Sequence, residues 1–221
     1  MLEKKFLNFA KKIFLFGIIN YFNLSCQTQI FHEENNSKEN EKETFQINSP
    51  WYSNERIFER VYFFDDFFDK KEKDYGIPKG LLKGLAMQES LGNPLSVSYD
   101  GGVGEFMLQP GTARKYGLKV YGNSNKTGAD TTHAKEMKKL LKKYNYDYSK
   151  LIKIDERFDI KKSSDVAARC LIDLHKGKGH NSWNKALSAY NQGTPAFYAS
   201  RTKHVKKIRE YQEYYNERDG D

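Results

Sequence analysis

Cysteine is almost missing from this 221-residue chain, and the two present, Cys26 and Cys170, make no disulfide framework. Histidine is scarce and dispersed: no pair among His32, His133, His175, His180 and His204 stands at metal-ligand spacing. His175 and His180 flank a Gly-Lys-Gly turn and read as surface residues, so neither a metal site nor a cofactor is expected. No phosphate-binding loop occurs, because no Gly-Lys-Ser/Thr follows the one glycine-rich stretch. Nucleic-acid recognition motifs are also absent, so the net charge of +8 favours an anionic polymer or surface without naming one. The chain length suits one domain with extensions.

The extensions lie at the start. Lys4, Lys5, Lys11 and Lys12 precede an apolar run from Ile13 to Leu24, the arrangement of a secretory signal over residues 1–25. That run is shorter than the roughly 20 apolar residues a spanning helix needs. Leu24-Ser25-Cys26 follows it and resembles a bacterial lipobox, although Asn23 occupies the usual leucine position. Acylation at Cys26 is the expectation, with an ordinary cleaved signal or an uncleaved anchor as the alternatives. Residues 26–50, containing HEENNSKENEKET, are too polar to offset their ordering entropy and read as a disordered tether. The basic leader and the acidic tether cancel, so the positive charge belongs to residues 51–221.

Those residues repeat the helical period. Stripes run through Ile57, Val61, Phe64 and Phe68; Leu82, Leu85, Ala86 and Glu89; and Ala134, Met137, Leu141 and Tyr144. Three more run through Ala167, Cys170, Leu171 and Leu174; Trp183, Ala186, Leu187 and Tyr190; and, weaker, His204, Ile208, Tyr211 and Tyr215. Pro78 suits a first helical turn, Gly92 a helix stop, and Ser164 and Ser182 are candidate N-caps. No segment alternates at strand spacing, so the fold is expected to be mainly α, with Cys170 as core filler.

Glu89 is the residue that carries information. It completes the inward stripe of α-helical positions, where desolvation raises a carboxyl pKa toward that of a general acid. Periodicity alone serves equally well a buried glutamate paired with Arg or Lys for structural reasons. Downstream, Gly101-Gly102-Val103-Gly104 forms a loop whose backbone can approach a ligand, leading to Met107, Gln109 and Pro110-Gly111-Thr112-Ala113. Ala189-Tyr190-Asn191-Gln192-Gly193 closes a later helix.

The ordered set YGIPKGLLKGLAMQES, GGVGEFMLQPGTA, DVAARCLIDL and ALSAYNQG resembles the lytic transglycosylases with an SLT-type, goose-type-lysozyme-like catalytic domain. The likeness covers most of residues 75–216, including HVKKIREYQEYY as a last helix. It implies a lysozyme-like helical domain acting on peptidoglycan glycan strands, with Glu89 as catalytic acid and base and a 1,6-anhydro-muramic product. Ser90 would help orient the carboxylate, Tyr190 would hold it through its hydroxyl, and Tyr190 and Asn191 would border the sugar. Gly104 and its loop would line the subsites. At the positions where the family carries Leu and Gln, this chain has Glu105 and Met107, with Gln109 two places on as an alternative contact. Residues 118–157 exceed the usual connection and are expected to be a solvated helical insertion.

Two rivals remain. A lysozyme-type hydrolase would need a second carboxylate, for which Asp100 and Glu105 are available. A non-catalytic wall-binding protein would have no chemical need for a carboxylate on an apolar stripe. The expected setting is periplasmic, membrane-anchored through Cys26 and monomeric, with peptidoglycan as partner and no nucleic acid.

Overall fold

The computed structural model describes residues 60–62, 64–194, 196 and 198–219. The signal segment, Cys26, the tether and Ile57 lie outside the described residues. Among the described residues eight α-helices follow one another: α1 Asp65–Tyr75, α2 Leu81–Ser90, α3 Pro110–Lys115, α4 Thr131–Lys143, α5 Tyr148–Ile154, α6 Ile160–Lys176, α7 Trp183–Gln192 and α8 Lys203–Arg218. Short 3-10 turns lie at Glu156–Phe158 and Ala199–Arg201. Among the described residues there is no strand; the glycine-rich segment makes only isolated bridges, Val97 with Val103 and Val103 with Leu108. The expected mainly α fold is observed.

α2 is the central element, with every side chain from Leu81 to Met87 buried. Its N-terminus has no cap of its own, since Gly80 at φ 74° supplies no side chain. Glu72 of α1 supplies one, its carboxylate accepting from the backbone N–H groups of Gly80 and Leu82, each at 2.6 Å. Burial, opposed by these bonds, raises Glu72 to about 7. Lys83, fully buried, reaches Asp65 and Asp69 of α1 and Asp219 beyond α8, the last at 2.9 Å. Burial alone would lower the lysine's pKa, but its bonds to these three aspartates win and raise it. The three carboxylates come together around an ammonium group.

α8 runs antiparallel along α2, and glycine sets the distance between them. A Cβ at Gly84 would stand 2.5 Å from the Ile208 carbonyl, and one at Gly80 would stand 3.2 Å from the Gln212 carbonyl. The pairing steps one helical turn at a time along both helices, which places the end of α2 beside the start of α8.

Helix starts follow side-chain caps more than the apolar pattern. Asp159 caps α6 by accepting from the N–H groups of Lys161 and Lys162, so Ser164, expected as the cap, lies inside the helix. Ser182 stands at the N-cap of α7 without a side-chain bond. Pro78 precedes α2 and gives its carbonyl to Leu81 N–H at 3.1 Å. Helix α2 stops as expected, with Leu91 and Gly92 both left-handed at φ 56° and 68°.

The stretch 118–157 is more than a solvated insertion. It supplies Met137, Leu140, Leu141 and Leu151, which pack with Leu95, Val103 and Phe158 into a second apolar core beneath the glycine-rich loop. Its exposed face carries Lys135, Lys138, Lys139, Lys142 and Lys143, and this lysine-rich side is what the composition conveys. Fully buried Arg157 locks the stretch in place. Its guanidinium bonds Asp155 at 2.7 and 3.0 Å, donates to the Leu108 carbonyl at 3.1 Å and lies 2.7 Å from His133 Nε2.

Candidate active site

The last turn of α2 delivers Glu89 to the edge of the core. Its side chain retains 14% exposure, and Oε1 has no hydrogen-bond partner. Burial raises the carboxyl to about 8, with the negative charge of Asp100 adding to the shift. Glu89 therefore holds its proton at neutral pH, as a general acid must. Asp100, on the loop that follows α2, accepts a hydrogen bond from the Ser98 hydroxyl, and its carbonyl accepts Asp130 N–H at 2.6 Å.

Ser90 is adjacent in sequence, but its hydroxyl is occupied elsewhere. It donates to the Ala86 carbonyl at 3.3 Å and accepts Asn93 N–H at 3.0 Å, so it fastens the helix end instead of orienting the carboxylate. Tyr190 arrives from α7 close enough to Glu89 for that charge to help raise its phenol, behind the larger effects of burial and Cys170. Its hydroxyl donates to the Phe106 carbonyl at 2.8 Å, not to Glu89. Tyr190 thereby ties α7 to the loop. Asn191, next along the same helix end, is exposed.

The loop residues divide. Gly104, at φ 82°, is buried, and a Cβ there would collide with the Arg157 carbonyl. The close approach that requires glycine is thus made to the protein's own backbone, not to a ligand. Met107 is half-buried and left-handed at φ 47°, its N–H reaching the Gly104 carbonyl at 3.2 Å. The Gln109 carboxamide fits between Gly102 N–H at 3.3 Å and the Gly128 carbonyl at 3.2 Å, bracing the loop from behind. Glu105 is 0% exposed, neither of its oxygens has a hydrogen-bond partner, and burial raises it to about 8. Sealed in this way it cannot hold an attacking water, which leaves Asp100 as the second carboxylate near Glu89.

The sequence model of the family described as Transglycosylase SLT domain matches residues 66–213, well over half of the chain. This chain belongs to that family. No curated protein matches it. Membership places the chain among transglycosylase and lysozyme-like enzymes of the cell wall, whose substrate is peptidoglycan.

Within the SLT domain, one neighbour of Glu89 escaped the sequence reading. His204, on the first turn of α8, brings Nε2 to 3.4 Å from Glu89 Oε1. Nε2 has no hydrogen-bond partner either, and burial lowers the imidazole to about 4, so it is neutral near pH 7. Thr202 fixes this turn by accepting Val205 N–H at 3.3 Å. His204 falls on the weakest apolar stripe, and its partner lies in a helix distant in sequence, so only the α2–α8 register reveals the pair.

Proposed function

We propose that the SLT domain is a lytic transglycosylase in which Glu89 serves in turn as acid and base. As acid, Glu89 gives its proton to the oxygen of the β-1,4 bond between N-acetylmuramic acid and N-acetylglucosamine, and the C1–oxygen bond breaks. The resulting carboxylate then takes the proton of the muramic C6 hydroxyl as that oxygen bonds to C1. The product is a 1,6-anhydro ring, Glu89 regains its proton, and no water is consumed. The observation that carries this reading is a carboxyl at the edge of the core, protonated at neutral pH, with no hydrogen-bond partner on Oε1. Tyr190, Asn191, Met107 and Gln109 are the proposed contacts or supports for the glycan, and Ser90 and Gly104 shape the backbone around it.

The charge of Asp100 felt at Glu89 favours one second reading, a hydrolase in which Asp100 activates water. We further propose that residues 1–25 direct export, that Cys26 carries a lipid, and that residues 26–50 tether a monomeric domain to the membrane. Digestion of purified peptidoglycan by residues 27–221, with Glu89→Gln alongside and mass-spectrometric readout, tests the reaction. Anhydro-muramic ends, one water lighter than hydrolysed ends and lost in Glu89→Gln, are expected. Reducing muramic ends would replace this reading with hydrolysis through Asp100. Binding without cleavage by the unaltered domain would make it a wall-binding protein.

A further inference from the structure

His204 faces Glu89 across 3.4 Å, and the two facing atoms, Nε2 and Oε1, are both buried and both without a hydrogen-bond partner. Two polar atoms left unbonded in the interior are costly, and pairing with each other is the nearest remedy. The contact is a consequence of the fold. Glycines at 80 and 84 let α8 lie close along α2, and one further turn in the same register sets His204 against Glu89. The first turn of α8 is held by Thr202 and by buried Val205. Other groups around Glu89 are already directed elsewhere, Tyr190 of α7 to the Phe106 carbonyl and Asp100 of the loop to Ser98.

Resting on the assignment of Glu89 as acid and base, we propose that His204 is its positioning residue, donating Nε2–H to Oε1 and leaving Oε2 to exchange protons with the glycan. The bond strengthens as Glu89 loses its proton, because a carboxylate accepts more strongly than a carboxylic acid. An interaction stronger in the transition state than in the ground state raises kcat without tightening substrate binding. The proton given to the glycosidic oxygen comes from Glu89 and returns to Glu89, so His204 stays neutral throughout. Its burial in a setting that disfavours the imidazolium agrees with this role.

The test compares the exported domain, residues 27–221, with its His204→Phe, His204→Gln and Glu89→Gln variants on purified peptidoglycan across pH. Phenylalanine keeps the ring and removes the nitrogen, whereas glutamine returns an N–H donor at similar reach. We expect His204→Phe to lose about tenfold or more in kcat with KM within about twofold. The basic limb of its kcat profile should move to higher pH, since the carboxylate loses its donor. His204→Gln should recover most of the rate and the original limb. A rate and pH profile unchanged in His204→Phe would overturn the inference, as would equal losses in the two His204 variants. If the unaltered domain forms no anhydro ends, or if Glu89→Gln still forms them, the underlying assignment fails instead, whatever the His204 variants do.

Discussion

Glu89 and Glu105 have the same side chain and the same upward displacement to about 8, yet only Glu89 keeps contact with solvent. The sequence distinguishes Glu89 because it completes an apolar stripe with a carboxylate just before a helix stop. It could not distinguish Glu105, which is buried where the loop comes near Tyr148 of α5 and Tyr215 of α8, residues far away in sequence. Glu105 yields a prediction with a definite sign. Between its ordinary value of 4.5 and its folded value of about 8, the folded state retains a proton that the unfolded chain has released. Stability from this group is therefore complete below about pH 4.5 and is lost as pH rises through about 8. At about 1.4 kcal/mol for each pH unit between those values, the loss reaches a few kcal/mol. Glu105→Leu, which restores the residue type the family usually carries, should gain stability over the unaltered domain, and the gain should widen across that window. Urea unfolding at pH 5, 7 and 9 checks this; a gain that stays constant with pH would show that Glu105 is not the buried, unpartnered acid described.

Elements were legible where an apolar stripe was long and failed where a polar group set the boundary. The stripes of α2, α4, α6 and α7 were read from spacing alone, and their Leu82, Leu85, Met137, Leu141, Ala167 and Leu187 are all buried. The start of α6 is ambiguous in the sequence because Asp159 and Ser164 are both acceptable caps; in the fold Asp159 ends the Glu156–Phe158 turn and caps the helix. The same limit hid the α2–α8 register, since Gly80 and Gly84 show no reason for being glycine until α8 is beside them. Gly84 lies within α2 with a helical backbone, so alanine there would ordinarily stabilise the helix by about 1 kcal/mol. Here its Cβ would meet the Ile208 carbonyl at 2.5 Å, and backbone cannot yield as a flexible side chain can. Gly84→Ala should instead destabilise the domain by about 1–3 kcal/mol, the usual range for overpacking. It should also reduce cleavage beyond what the unfolded fraction explains, because α8 carries His204. Thermal unfolding with activity at a temperature where both proteins are folded separates these effects; a more stable and fully active variant would refute the close packing.

At the scale of the whole domain, two apolar cores share one loop. The helical core around α2 positions Glu89, and the second core, under α4 and α5, supports Val103 and so the glycine-rich segment. Composition could not predict this division of labour. The lysines of 118–157 suggest a solvated insertion, whereas the buried half of α4 and Arg157 make the stretch part of the support of the candidate site. Arg157 is the joint, since one guanidinium contacts Asp155, His133 and the loop carbonyl of Leu108. Removing it by Arg157→Leu leaves the Asp155 carboxylate, at 0% exposure, without its guanidinium partner and with only the backbone N–H groups of Tyr121 and position 157 still donating to it. Breaking a buried pair in this way costs roughly 3–5 kcal/mol. Replacing both members, as Arg157→Leu with Asp155→Leu, removes the stranded charge and should recover a large part of that loss. The recovered stability should not bring back full activity, because the Leu108 carbonyl keeps only the Val103 N–H within its own loop and has lost the guanidinium that braced the loop from outside. Hydrogen exchange provides the local reading. The double variant should exchange faster at Val103, Leu108 and along α4, while the amides of α2 remain protected. Uniformly faster exchange would mean that the two cores open as one unit, and unchanged exchange at the loop would mean that Arg157 stabilises the domain without bracing the site.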